Sequence, residues 1–220
     1  DHCIVHGHTM VVLDPTGSNI LARATGPLGP GAAPAMLRRR QAPSGACYTL
    51  TCGGDYALLF KQDILPLLRV LRAHGEEIGA LHIVTRPDFP GFVRETLEAL
   101  CATRPNVQIL DLAGDERLEN VRALWLSRIP DARDFDGVTR EEADELAVMM
   151  RAHFRIGPPT GDQLLFVSRG RSKTGALDNE AEVFAFLMEY GFEFFAPREN
   201  DLRDQIEAFQ SARVIVAPHG

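Results

Sequence analysis

The run Leu164-Leu165-Phe166-Val167-Ser168-Arg169-Gly170-Arg171-Ser172-Lys173-Thr174-Gly175 passes from bulky apolar residues into a polar turn carrying three cations, three hydroxyls and two glycines. Its first five residues read as a buried strand, Leu164–Ser168. Beyond the turn, Val183, Phe186, Leu187 and Tyr190 recur at helical spacing from about Asn179, and Gly191 supplies a stop. A strand over Glu193–Ala196, a helix opening at Asp201 (Leu202, Ile206, Phe209) and a strand over Val214–Ala217 complete a βαβαβ series. Strands that alternate with helices pair in parallel, so this stretch predicts half of a nucleotide-binding fold.

Working back from it, Gly157-Pro158-Pro159 breaks the chain, and Thr139 with Glu142 forms a capping box ahead of Ala143, Leu146, Ala147 and Met150. A helix is expected from there to about Phe154. Tyr48–Cys52 reads as a strand ending at Gly53-Gly54, followed by a helix (Ile64, Leu67, Leu68, Leu71) that Gly75 should stop. Leu81–Thr85 and Val107–Leu112 are further strands around a helix marked by Val93, Thr96, Leu97 and Leu100, and Val121–Leu126 is read as a strand. Gly26–Pro34 is too rich in glycine and proline for either element. Ile4–Leu21, with Asp14-Pro15-Thr16-Gly17 between apolar runs, predicts a hairpin packed as a small sheet. The expectation is an α/β chain with a first lobe over 1–156 and the first half of a second over 157–220.

With 220 residues, 45% hydrophobic and 24% charged, the chain can bury a sizeable core, which excludes a disordered or collagen-like polymer. The net charge of −7, with no basic run longer than Arg38-Arg39-Arg40, argues against a nucleic-acid partner. Four cysteines without a CxxC pair suggest free thiols in a reducing compartment, hence a cytoplasmic location. No apolar run reaches the ~18 residues a membrane span needs. The chain opens on Asp1 and closes on Gly220 directly after a strand-like run, so it reads as a fragment of a longer protein.

Open α/β sheets bind ligands beyond the carboxyl ends of their strands, where helix N-termini point outward. The Ser168–Gly175 turn lies there and suits an anion; it is not a GxxxxGK[ST] loop, so any phosphate would be held by Arg forks and hydroxyls. The same composition also describes a solvated basic loop. Ala217-Pro218-His219-Gly220 ends the last strand, either as a second ligand-facing segment or as ordinary turn chemistry. Asp55 and Asp63 stand near Gly53-Gly54 and could serve as a general base, or merely cap and solvate. Asp1, Cys3, His6 and His8 hint at metal ligands, yet no second ligand pair follows, so no metal site is expected. Neither a GxSxG elbow nor a cysteine with a local histidine signature occurs, and covalent catalysis is not indicated.

Laid out in order, Leu165-Phe166-Val167-Ser168-Arg169, Asn179-Glu180-Ala181-Glu182, Gly191-Phe192, Gln205-Ile206-Glu207-Ala208-Phe209 and Ala212-Arg213-Val214-Ile215-Val216-Ala217-Pro218-His219-Gly220 resemble glycosyltransferase family 61. That group includes capsular-polysaccharide-type enzymes and plant xylosyl- and arabinosyltransferases. Gly53-Gly54-Asp55-Tyr56 and Asp63-Ile64-Leu65-Pro66 look like a further family segment. The chain departs from the pattern at Leu59, where relatives commonly carry His, and at Gly175, where an Arg usually stands; Arg171 and Lys173 are the neighbouring cations.

The resemblance implies a GT-B-like enzyme with two Rossmann-like lobes, an acceptor-side first lobe over 1–156 and an incomplete, nucleotide-sugar-binding second lobe over 157–220. It would be an inverting hexosyl- or pentosyltransferase moving sugar from a nucleotide-sugar donor, UDP-sugar expected, to a glycan or related hydroxyl acceptor in surface polysaccharide synthesis. Ser168, Arg169, Arg171, Lys173, Asn179, Glu180, His219 and Gly220 would hold the donor, and Asp63 or Asp55 would take the acceptor's proton. No cofactor or metal is implied, and peripheral membrane association stays open. Two other readings of the same residues stand beside it: a catalytically degenerate nucleotide- or glycan-binding module, and another nucleotide-sugar enzyme such as an epimerase.

Overall fold

The structure, a computed structural model, describes residues 2–6, 11–13, 20–22, 37–50, 56, 59–124, 138–169, 177–197 and 201–218. The chain divides into two compact units, Asp1–Leu146 and Ala147–Gly220. The division falls within the helix that the capping box predicts, upstream of the Gly157-Pro158-Pro159 break.

Unit 1 is built on an eight-stranded sheet. Strands β1 (His2–His6), β2 (Val11–Leu13) and β3 (Ile20–Ala22) run antiparallel in sequence order. The hairpin predicted over this stretch is present between β2 and β3. It does not form a separate small sheet, because β1 pairs along β8 (Glu116–Ala123) and the meander becomes one margin of the main sheet. β4 (Arg38–Gln41) is a strand that the apolar pattern misses: all four of its residues are exposed. Its arginines meet Asp115, Glu116 and Glu119 in ion pairs while its backbone runs parallel to β8.

β5 (Ala46–Thr49), β6 (Leu81–Thr85), β7 (Val107–Asp111) and the end of β8 are parallel, in the order β8-β5-β6-β7. Side chains alternate across the pleat. Cys47, Val84 and Leu110 join Cys3, Val5, Val12, Leu118 and Val121 in one buried cluster, so Tyr48, Leu81, Ile83 and Val107 belong to the opposite face. The crossovers β5–β6 and β6–β7 run the same way, so their helices α1 (Leu65–Ile78) and α2 (Gly91–Thr103) share a face. α1 buries Leu67, Leu68 and Leu71, and α2 buries Val93, Leu97 and Leu100.

Gly75 does not end α1. The helix bends at His74 (φ −135°) and continues to Ile78, where Gly79, at φ +67°, donates its N–H back to the Gly75 carbonyl. A π-helical turn, Leu59–Ile64, leads into α1. Pro66, in the first turn of α1, has no N–H to return to the carbonyl four residues earlier, which favours the wider turn upstream. β8 carries Asn120 in the left-handed region (φ 59°) where its neighbour changes from β4 to β5 and its register with β1 shifts, a bulge that bends the strand.

The helix α3 (Arg140–Phe154) starts as predicted. Glu142 N–H donates to Thr139 Oγ1 at 3.2 Å, and Thr139 N–H donates to Glu142 Oε2 at 2.9 Å, a reciprocal capping box.

Unit 2 contains β9 (Gln163–Val167), α4 (Glu180–Met188), β10 (Glu193–Phe195), α5 (Leu202–Ser211) and β11 (Ala212–Val216). The three strands are parallel in the order β10-β9-β11, the predicted βαβαβ series. α4 turns Phe184 onto Phe166 and Phe194 (centroids 5.6 and 5.2 Å), whereas Phe186 and Tyr190, both expected on the buried stripe, are exposed. Phe195, on the other face of β10, meets Phe209 of α5. Asp201 caps α5 by accepting from the Asp204 N–H at 2.9 Å.

Candidate active site

In unit 2 the chain leaves β9 for β10 on one side, then crosses back to place β11 on the other. The crossover direction therefore reverses between β9 and β11, and beyond the carboxyl ends of such a pair the helix connections part and leave a crevice. The register Val216 beside Phe166 brings the residues that follow the two strands together, Ser168-Arg169 with Ala217-Pro218. Of the residues singled out for the donor, Arg171, Lys173, His219 and Gly220 lie outside the described residues.

Ser168 is buried (3% exposed), and its N–H donates to the Phe195 carbonyl at 2.8 Å, continuing the β9–β10 ladder by one residue. Its backbone is thus already engaged. Arg169, the next residue, is half-buried and is the first beyond the ladder. Asn179 is the exposed N-cap of α4, and its side chain makes no capping bond to the helix. Glu180 occupies the first turn of α4, where a carboxylate complements the positive end of the helix. Its Oε1 is out of solvent and has no hydrogen-bond partner among the described residues. A carboxylate only accepts, so this oxygen suits a hydroxyl and not a phosphate.

Unit 1 has a reversal of its own. The chain steps from β5 to β6 to β7 in one direction, and β8 then returns to the far side of β5. The reversal is at β5, and the segment following β5 contains both proposed bases. Asp55 lies outside the described residues. Asp63, on the π-helical turn, is completely buried, and its Oδ1 accepts the hydroxyl of Tyr48 from β5. A base must come within about 3 Å of the proton it removes, or reach it through one water; Asp63 is enclosed on that count. Lys61 on the same turn is buried too, as is Leu59. Tyr48 is the partner that motif reasoning missed. The signal was available: a tyrosine in a buried strand needs an acceptor for its hydroxyl.

The family model described as Glycosyltransferase 61 matches residues 57–220, well over half of the chain. The chain belongs to glycosyltransferase family 61. No curated protein matches it.

As a family 61 glycosyltransferase, the protein works on a sugar donor and an acceptor, and the match takes in both strand reversals apart from β5 itself and the residues before it. Other features of the structure offer less to such substrates. A cavity of about 600 Å³ lined by Arg72, His74, Arg104 and Asn106 opens at the amino end of the unit 1 strands, away from the ends where α/β sheets place ligands. Its two arginines both donate to Glu145. Among the described residues no cluster of three His, Cys, Asp or Glu side chains could hold a metal, and no helix is long and apolar enough to cross a membrane.

Proposed function

We propose that this family 61 enzyme is an inverting transferase of GT-B architecture that moves a hexosyl or pentosyl group from a nucleotide-sugar donor, a UDP-sugar in the first instance, to a hydroxyl of a glycan. The observation that carries the proposal is the reversal between β9 and β11, which sets Arg169 beside the segment leading to His219-Gly220.

In the proposed step a base removes the acceptor's O–H proton while the new O–C1 bond forms on the face opposite the departing group. The bond from C1 to the diphosphate oxygen breaks, and its electron pair leaves with the nucleoside diphosphate. Charge develops on that diphosphate, so cations aimed at it stabilise the transition state more than the ground state. Arg169, with Arg171 and Lys173 from the same turn, would supply them. Glu180 would take a donor hydroxyl. Because the protein brings its own positive charge, the transfer is proposed to need no metal and to survive EDTA. Asp55 is the base we propose of the two, since Asp63 is fully buried and accepts the Tyr48 hydroxyl. We place the enzyme in the cytoplasm, in surface-polysaccharide synthesis and with peripheral attachment to the membrane, where donor and acceptor of this kind meet.

Calorimetry with UDP and a panel of UDP-sugars, followed by transfer assays, tests the reading. Arg169→Ala is expected to lower turnover by about a hundredfold, corresponding to the ~3 kcal/mol that one such donor contributes. Arg169→Lys is expected to restore only part of it, because an ammonium cannot reproduce the bidentate fork. Donor binding without turnover against any acceptor would instead identify a degenerate binding module, a reading that the buried Leu59 favours. Conversion of the donor sugar without an acceptor would point to an epimerase. Absence of nucleotide binding would remove the transferase, the epimerase and the nucleotide-binding form of the module.

A further inference from the structure

Tyr56 differs from the other large side chains near the reversal in unit 1. Its ring meets Phe60 at 4.6 Å and Phe92 at 5.2 Å, both edge-on, yet 39% of the residue remains exposed. Phe60 belongs to the π-helical turn and Phe92 to α2, so two separate elements fix the plane of one accessible ring. Burial of the phenol and, after it, the nearby carboxylate of Glu95 both favour the neutral form. The ring follows β5 in sequence and packs on the first turn of α2, the helix that follows β6. It therefore lies at the carboxyl end of two parallel strands, where ligands of such sheets bind. Arg86 and Asp88, joined in an ion pair after β6, lie at the same end of the sheet, and the Arg86 guanidinium is 5.9 Å from the Phe89 ring.

We infer that Tyr56 is a stacking platform for a sugar ring of the acceptor. The C–H groups on one face of a pyranose lie against the electron-rich face of an aromatic ring, while its outward hydroxyls find donors and acceptors at a polar rim. Arg86, Asp88 and Glu95 give this end of the sheet both signs of charge, which suits a neutral polyhydroxyl ligand better than an ion. The inference rests on the proposed sugar transfer, which expects the acceptor on the first lobe, and adds to it the residue that would meet the acceptor and the chemistry by which it would do so.

Titration of the 220-residue chain with xylotetraose, cellotetraose, mannotetraose and chitotetraose, followed by saturation-transfer NMR, tests it, with UDP as the control ligand. The wild-type chain is expected to bind at least one of the four. Tyr56→Ala should bind that sugar at least tenfold more weakly with its UDP affinity unchanged, and Tyr56→Phe and Tyr56→Trp, which keep a ring, should stay within about threefold of wild type. Thermal melting checks that the variants fold. If Tyr56→Ala does not, Tyr56→Leu, which keeps apolar bulk without a π face, takes its place with the same expected loss. Equal sugar binding by the ring-less variant, a loss in Tyr56→Phe as large as in Tyr56→Ala, or no binding of any tetrasaccharide by wild type would each overturn the inference. Tetrasaccharide binding without UDP binding would sink the donor proposal and leave this one standing.

Discussion

The hydroxyl of Tyr48 donates to the carboxylate of Asp63, and neither residue is more than 4% exposed. This bond ties β5 to the π-helical turn that leads into α1, close to the segment proposed to meet the acceptor. Losing this bond weakens the satisfaction of a buried polar pair, at a cost of about 1–3 kcal/mol. Tyr48→Phe and Asp63→Asn are each expected to lower the melting temperature. The two effects should be strongly non-additive in the double variant, as for residues in direct contact. Turnover separates the two carboxylates: Asp63→Asn should keep kcat within about tenfold, while Asp55→Asn should lose the 10²–10⁴-fold that a general base contributes. A collapse of kcat in a folded Asp63→Asn protein would return the base to Asp63.

Glu142 performs two tasks at once, closing the N-terminus of α3 and accepting both forks of Arg69 from α1. The Arg69 guanidinium, followed by the Thr139 N–H and hydroxyl, holds its carboxyl down at about 2, against the opposing effect of partial burial. The folded value lies below the unfolded one. The associated stability is therefore fully present above about pH 4.5 and is lost as the pH falls towards 2. Discounted for the partial exposure of Arg69, it amounts to about 2 kcal/mol. Denaturant titrations of Glu142→Gln are expected to show that loss at pH 7 and a flatter acid limb between pH 4.5 and 2; a wild-type acid limb in the variant would refute the assignment.

Gly45 sits at φ +120°, and a Cβ there would stand 2.5 Å from the Ala80 carbonyl oxygen. That same oxygen accepts the Ala46 N–H at 2.9 Å, the bond that starts the β5–β6 ladder. Both the dihedral and the contact exclude a side chain, so Gly45→Ala should destabilise unit 1 by about 2 kcal/mol or more. Gly91→Ala, in α2 with open space around the position, is the control and should stay within about 0.5 kcal/mol of wild type or stabilise it.

Cys47 is 1% exposed, and burial pushes its thiol up to about 11. At pH 8 roughly one molecule in a thousand would carry the thiolate, the form that reacts. Iodoacetamide is expected to leave Cys47 unmodified in the folded protein and to label it only after denaturation, as read by peptide mass spectrometry. Labelling of the native chain at the rate of an open thiol would show that the core around β5 is not closed.

Features that act over a few residues were legible in the amino-acid order. Thr139 with Glu142, Asp201 ahead of α5 and the alternation of apolar runs in β9-α4-β10-α5-β11 each depend on neighbours three or four positions away, and all appear where the pattern places them. The family signature was legible for the same reason, being a spacing along one dimension.

Tertiary contacts settled the rest. Arg38–Gln41 has no apolar stripe and becomes a strand because Glu116 and Glu119, more than seventy positions on, meet its charges while β8 meets its backbone. Whether Asp63 faces substrate or is enclosed depends on Tyr48, fifteen positions earlier. Phe184 packs and Phe186 does not, because the orientation of α4 on the β9–β10 sheet selects between two helical faces that are both apolar in the sequence. Burial and partnership belong to pairs of residues brought together by folding, and composition alone does not specify those pairs.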